Sequence, residues 1–442
     1  MRTITIDLSR EAGVVKPLHG VNNGPLGYGS LVDVSHHFRG AGIPLVRLHD
    51  PNYPHPREID IHTIFPDFSK DPADPASYDF AKSDYYIRTV IETGAKIVYR
   101  LGESIEHTPD KYYVYPPADY AKWAQICIGI IRHYNQGWAN GFRYGIEYWE
   151  IWNEPDGAGP RMWNGTVEQY YDLYRVVAPI LKGFDPSLKI GGYAAALVKV
   201  IPDFFPNFMK MCAEEKLPLD FFSWHSYNDN PELVREISTF VRERLDSYGY
   251  TKTESHYNEW SFFDADWTAI FVPGNEHYRR DMFERGKGTQ GASYSAAVLS
   301  LMQDLPIDAA NYYDGQPSAL FCGLFDYYGV PMKTYYAFQR FGELLRYEHR
   351  AHAACGEPGI YLCAAATTGE GGSALISNWR GVSGYYDIAL PGIGEGEWVA
   401  EEYRIDRDRT DQLVARHRIT ANEPLMLFIA SETTLFLKIV RA

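Results

Sequence analysis

The sequence predicts an α/β fold: a (β/α)₈ TIM barrel with an accessory antiparallel β-sandwich. Three observations predict it. From about residue 17 to 345 the chain repeats a short apolar run, a turn and a segment of helical period, the pattern of parallel strands with crossover helices. After Leu345 the texture changes to Gly-punctuated alternating runs without helical period, which reads as antiparallel sheet. The length of 442 residues also exceeds the roughly 250 of a single barrel, so there is room for a second unit.

Eight apolar runs supply the barrel strands: Leu18 to Asn22, Pro44 to His49, Ala95 to Leu101, Glu147 to Trp152, Lys189 to Tyr193, Phe221 to Tyr227, Ser255 to Trp260 and Asp308 to Tyr313. Helices are readable between them. Tyr120, Trp123, Ala124, Cys127, Ile130, Ile131 and Tyr134 share one face at spacings of three and four. Thr166 followed by Gln169 is a capping-box signature ahead of Tyr170, Tyr174, Val177 and Leu181, and Pro179 is expected to kink that helix. The sandwich strands are Ile360 to Ala366, Ala374 to Asn378, Tyr385 to Leu390, Trp398 to Ile405, Gln412 to Ile419 and Thr433 to Val440, with a hairpin turn at Glu370-Gly-Gly-Ser373. Arg2 to Leu8 alternates in the same way, so it is expected to cross over and join that sheet. The expected domains are therefore 1–16 with the sandwich, 17–345 as the barrel and 346–442 as the rest of the sandwich. Two long stretches, His49 to Tyr78 and Phe262 to Gly288, follow strand ends and read as loops that wall the barrel mouth.

Composition narrows the class of partner. The net charge is −15, from 42 basic and 57 acidic residues, so no basic excess exists to meet a nucleic-acid backbone or an anionic membrane. No apolar stretch reads as a membrane span, and the first residues lack the apolar core of a signal peptide, which together lead to the expectation of a cytoplasmic protein. The five cysteines, Cys127, Cys212, Cys322, Cys355 and Cys363, have no metal-like spacing and read as reduced, mostly buried thiols. His36, His37 and His55 likewise lack metal-ligand spacing, so neither a metal nor a cofactor is expected. Oligomeric state is not readable from the chain. Aromatic content is high, at 15% with 34 Tyr and 10 Trp, material for core filling or for rings on which sugar faces stack.

Two glutamates stand in matched contexts. Glu154 lies in Tyr148-Trp-Glu-Ile-Trp-Asn-Glu-Pro155 and Glu259 in His256-Tyr-Asn-Glu-Trp260, each after a buried-strand pattern ending in Asn. Counted along the repeat they end strands four and seven, and in a barrel the strand C-termini form one mouth. Two carboxyl groups in different protonation states are what glycosidic cleavage needs: a proton for the leaving oxygen and electron density for an oxocarbenium-like centre. Trp149, Trp152 and Pro155 around Glu154 favour a raised pKa and an acid role, whereas His225 and Tyr227 on strand six can hold Glu259 ionised. Asn153 is placed to bond a sugar 2-OH. Arg47 reads either as a site residue or as a stabiliser of a buried carboxylate, and His49 as a sugar contact or a loop bond. Glu103, after strand three, reads as a rim charge. Asn22 and Asn23 either close the pocket floor or turn the chain with Gly24.

Glu147-Tyr-Trp-Glu-Ile-Trp-Asn-Glu-Pro-Asp156, Phe221-Phe-Ser-Trp-His-Ser-Tyr227 and Asn258-Glu-Trp260 resemble the strand-four, strand-six and strand-seven signatures of clan A glycoside hydrolases, family 39 above all, the β-xylosidase and α-iduronidase family. The resemblance implies Glu154 as acid/base, Glu259 as nucleophile, and Asn153, Tyr227, His225, His49 and Arg47 around the −1 sugar. Strand eight departs from the family. Where xylosidases carry a Trp and an acidic pair, this chain has Asn311-Tyr-Tyr-Asp-Gly-Gln-Pro317, so Tyr313 takes the platform position and Asp314 that of an acid. The resulting expectation is a retaining, exo-acting glycosidase on short oligosaccharides with β-D-xylose as the leading sugar. The alternatives are an α-L-arabinosidase, a β-galactosidase or a non-catalytic carbohydrate-binding barrel.

Overall fold

The computed structural model describes every residue except 1, 53–56, 158, 265–268, 271, 319, 322 and 422. The first strand, β1 (Arg2–Glu11), buries Ile4, Ile6 and Leu8 on alternate positions. Next come β2 (Gly20–Asn22), the hairpin β3 (Leu26–Gly27) and β4 (Val32–Asp33), β5 (Leu45–Leu48), β6 (Lys96–Leu101), β7 (Tyr148–Ile151), β8 (Lys189–Ala195), β9 (Phe221–His225), β10 (Glu254–Trp260) and β11 (Ala309–Tyr312). Without the hairpin these form a closed parallel barrel, in the order β10-β11-β2-β5-β6-β7-β8-β9. All eight runs read from sequence are strands of this barrel. Gly191 on β8 shows why small residues matter here: a Cβ at that position would meet the Phe221 carbonyl oxygen at 2.2 Å.

The helices follow the sequence closely. The helix Tyr120–Gln136 is capped by the Asp119 side chain, which accepts from Lys122 N at 3.0 Å. Helix Val167–Phe184 begins with both halves of the Thr166/Gln169 capping box and runs on with Pro179 inside it. Pro179 is on the solvent-facing side, where water can take the carbonyl that the ring leaves without a donor. The two long stretches are less open than expected. Helices Ile61–Ile64 and Glu276–Lys287 lie within them, the second occupying most of the later half of 262–288.

The second sheet contains β12 (His349–Cys355), β13 (Ile360–Thr367), β14 (Gly371–Asn378), β15 (Gly384–Ala389), β16 (Trp398–Ile405), β17 (Gln412–Ile419), β18 (Leu425–Ile429) and β19 (Thr433–Arg441). Its order is β17-β16-β19-β14-β13-β12-β1-β15-β18, so the N-terminal strand does cross over, pairing antiparallel with β12 and parallel with β15. Tyr386, Ile388, Leu427 and Ile429 from one end of the sheet share a core with Trp398, Ala400, Leu437 and Ile439 from the other, so the sheet folds over itself as a sandwich. The turn between β13 and β14 spans 368–370 with Gly369 at φ +78°, and the expected turn residues Gly371–Ser373 are already strand. Strands β12 and β18 and the β3–β4 hairpin were not read from sequence, because their alternation is weak or their length is two residues.

Sandwich and barrel meet along helix Thr289–Leu301, whose residues from Gly291 onward are buried. Ser293 Oγ lies 2.9 Å from Ser377 Oγ, Trp379 Nε1 donates to the Asp229 carbonyl at 3.0 Å, and Arg340 grips both oxygens of Asp411 at 2.7 and 2.9 Å. Among the described residues no helix is long and apolar enough to cross a membrane. Cys127, Cys212 and Cys363 are buried and Cys355 half-buried, all as free thiols. Cys322 and His55 lie outside the described residues.

Candidate active site

Barrel strands deliver side chains alternately to the interior, and here the interior is polar near the strand C-termini. Arg47 on β5 is fully buried and organises it. Its Nε donates to Glu150 Oε2 at 2.7 Å, Nη1 to Glu259 Oε1 at 2.7 Å and Asn22 Oδ1 at 3.0 Å, and Nη2 to Asn153 Oδ1 at 2.6 Å. Burial would lower the Arg47 pKa, but Glu150 and Glu259 outweigh it and the net shift is upward. The alternative that Arg47 stabilises a buried carboxylate is thus realised together with a place in the site. Glu150 also accepts from Asn258 Nδ2 at 2.6 Å, while Asn22 Nδ2 donates to the Asn258 and Asn311 carbonyls at 2.8 and 3.2 Å. Asn22 therefore belongs to the buried network around Arg47. Asn23, at φ +56°, turns the chain and accepts from His49 N at 3.0 Å.

The structure brings Glu154 and Glu259 together, with an oxygen of each within 4.8 Å of the other. Tyr227 OH donates to Glu259 Oε2 at 2.6 Å, so with Arg47 the strand-seven carboxyl has a donor on each oxygen. Among the described residues Glu154 has one close partner, His225 Nδ1 at 2.7 Å from its Oε1. His225, expected to serve Glu259, stands between the two carboxyls and closer to Glu154: the same nitrogen is 3.5 Å from Glu259 Oε2. Burial pushes His225 down to about 4, so the ring is neutral near pH 7. Burial, opposed only by the Arg47 charge, lifts Glu154 to about 7. Glu259 is also raised by burial, against the pull of His225, Arg47 and Tyr227. Trp149 and Trp152 do not line the mouth: Trp149 stacks on Tyr99 and Trp152 packs edge-on to Trp163, both in the core.

The remaining candidates close the pocket. His49 Nε2 stands 3.8 Å from Glu259 Oε1 and 3.5 Å from Asp50 Oδ2, and burial holds its pKa well below the ordinary value. The Tyr313 ring lies 6.2 Å from that of His49 and 6.4 Å from that of Tyr227, at the pocket wall after β11. Asn153 spends its oxygen on Arg47, and its Nδ2 has no partner among the described residues. Glu103 is not a rim charge. It is buried, bonded to the His62 ring and backbone N–H, and raised by burial to about 6.

Sequence reading missed Glu150, Asn258 and Asp50. Glu150 had a signal, because a carboxylate in the middle of the apolar run Tyr148–Ile151 needs a buried cation, and Arg47 sits in an equally apolar run. Among the described residues two donor groups lie within metal-binding distance, Glu154/His225/Glu259 and Asp60/His62/Glu103. In each an arginine already supplies the positive charge, Arg47 to Glu259 and Arg100 to Asp60 at 2.9 Å.

A family model described as glycosyl hydrolases family 39 matches residues 55–245, the segment from the loop after β5 into the helix Pro231–Ser247 that follows β9, which includes Glu154, His225 and Tyr227. This is a family 39-like chain. The family 39-like chain is 26% identical to a β-xylosidase of Geobacillus stearothermophilus over 259 residues, covering 52% of this chain and 48% of the relative. It spans about half the length of the curated relatives it matches. Among solved structures, a glucosidase from Croceicoccus marinus aligns over 100% of this chain and 99% of its own, at 26% identity and a TM-score of 0.83. A monomeric β-xylosidase from Caulobacter crescentus aligns over the whole of both chains at 15% identity and a TM-score of 0.74, a likeness of fold.

Proposed function

We propose that this chain is a retaining, exo-acting glycosidase that releases a terminal sugar, with β-D-xylose the leading candidate, from short oligosaccharides. One observation carries the reading: two carboxyls within 4.8 Å, one with a donor on each oxygen and one raised to about 7. That spacing agrees with the roughly 5 Å of retaining enzymes and is well short of the 6.5 to 9.5 Å that admits a water in inverting ones. The family resemblance and the β-xylosidase relatives support the substrate class.

In this mechanism Glu259 attacks the anomeric carbon as the C–O bond to the leaving group breaks and Glu154 gives its proton to the departing oxygen. Glu154, now ionised, takes a proton from water as that water attacks the same carbon, and Glu259 leaves with its electron pair. The Asn153 Nδ2–H is placed for the 2-OH, and neutral His225 keeps Glu154 oriented without adding charge. The exo assignment is supported by the small exposure of the pair, 16% and 5% for the Glu154 and Glu259 side chains. A glucoside is the second reading, favoured by the full-length likeness to a glucosidase and by the strand-eight departure. We also assign catalysis to the barrel unit, residues 17–345, with 1–16 and 346–442 as its sandwich.

The test is hydrolysis of p-nitrophenyl xyloside, glucoside, arabinoside and galactoside, with the first-formed anomer followed by NMR. Release of xylose with retained configuration is expected. An inverted first product removes the double-displacement mechanism, and no release from any substrate removes the glycosidase reading.

A further inference from the structure

Strand eight lacks the acidic pair of family xylosidases, yet the pocket wall does not lack a carboxyl. Asp50 follows His49 at the end of β5 and is 3% exposed, as deep as Glu259 at 4%. Its Oδ2 is 3.5 Å from His49 Nε2, which is itself 3.8 Å from Glu259 Oε1, so one ring nitrogen bridges the gap between the two carboxyls. Asp50 and Asp314 are also the charges that weigh most on the Tyr313 phenol, after burial itself. Asp50 therefore lies near Tyr313 as well as beside His49. Its other oxygen accepts from Ile105 N at 3.0 Å.

On the reading of the site as a glycosidase pocket, we propose that Asp50 is the specificity-determining acid of this chain, accepting a hydroxyl of the terminal sugar on the side remote from the anomeric carbon. The ring hydroxyl that reaches His49 Nε2 reaches Asp50 Oδ2 as well, because the two atoms are a hydrogen bond's reach apart. A sugar O–H is also the donor this carboxyl needs. Burial has lifted it to about 7, with only Arg100 and donors from the strand-three loop, Ile105 N–H and Ser104, pulling it back.

A purely structural role would have Asp50 tie the loop after β5 to the loop after β6 through Ile105, at a backbone φ of +57°. Asn adopts that conformation as readily as Asp and keeps an oxygen for Ile105 N–H, so Asp50→Asn separates the two roles. The experiment compares kcat/KM of wild type and Asp50→Asn on the preferred aryl glycoside and on analogues deoxygenated in turn at C3, at C4 and, for a glucoside, at C6. Wild type is expected to lose about 10- to 100-fold at one position, the size of a hydrogen bond to a charged group. The variant, already slower on the parent sugar, is expected to lose less than about 3-fold at that same position, and this non-additivity is the signature of contact. Equal losses in both proteins at every position, with a lowered Tm in the variant, overturn the proposal and leave the glycosidase reading standing. If wild type cleaves no parent glycoside, the glycosidase reading falls and the Asp50 assignment falls with it.

Discussion

Glu154 at the end of β7 and Glu259 at the end of β10 face each other across one pocket, and they differ more in donors than in depth. Glu259 is held by a guanidinium on one oxygen and a phenol on the other. Among the described residues Glu154 meets a single neutral imidazole. Desolvation acts on both, so the carboxyl with fewer donors among the described residues is the one that keeps its proton near neutrality, and the proposed asymmetry of roles rests on hydrogen bonding rather than on burial. The family resemblance supports the same division.

The comparison can be broken most severely by removing the carboxyls themselves. Glu259→Ala is expected to lower kcat by about 10⁴-fold or more. Added azide should restore turnover and yield a glycosyl azide of inverted configuration. Glu154→Ala is expected to lose about 10²- to 10⁴-fold on substrates with poor leaving groups, with azide giving the retained product. Identical azide products from the two variants would erase the difference between the sides. The next largest effect is on the hub between them. Arg47→Met leaves Glu150 and Glu259 without their cation, which is expected to cost about 3 to 5 kcal/mol and to appear as a fall in Tm in thermal melts.

Titration sharpens the comparison without removing either side. In the proposed mechanism Glu154 acts protonated, so activity should fall as pH rises through about 7, and Glu154→Gln should flatten that limb of the kcat/KM profile. Glu259 must be ionised, so activity should fall again at acid pH. Tyr227→Phe removes a donor to the charged form, which raises the Glu259 pKa, so the acid limb should move up by about one unit while the alkaline limb stays. The smallest effect is expected from the sandwich. Trp379 packs at 5.7 Å on Phe262, three residues beyond Glu259, so Trp379→Phe should cost about 1 kcal/mol of stability through its lost bond to Asp229 and leave both limbs in place. A shifted alkaline limb in that variant would mean that the two sides are coupled through the barrel.

Much of this was legible in the chain. The eight apolar runs are the eight barrel strands because a parallel strand buried on both faces has to be apolar. Glu154, Glu259, Asn153 and Tyr227 could be picked out because each is a polar residue at the end of such a run, and Arg47 because it is a charge within one. Glu103 was misread because exposure is not a local property: its neighbour His62 comes from a loop 41 residues earlier. The turn before β14 was displaced because two adjacent glycines look like a turn, whereas Gly371 and Gly372 lie under the Ile439 and Ala365 carbonyls of the neighbouring strands.

By itself the sequence determined the fold class, the order of the elements and which two carboxylates end strands four and seven, since periodicity and strand-end polarity are carried by neighbouring residues. Only the tertiary structure decided how the charges are shared. Arg47, Glu150, Asn153 and Glu259 are up to 212 positions apart and become one network only when the barrel closes. His225 turning toward Glu154 and Asp50 lying beside His49 are likewise outcomes of closure, because hydrogen-bond geometry is settled by where strands meet and not by the order in which they are written.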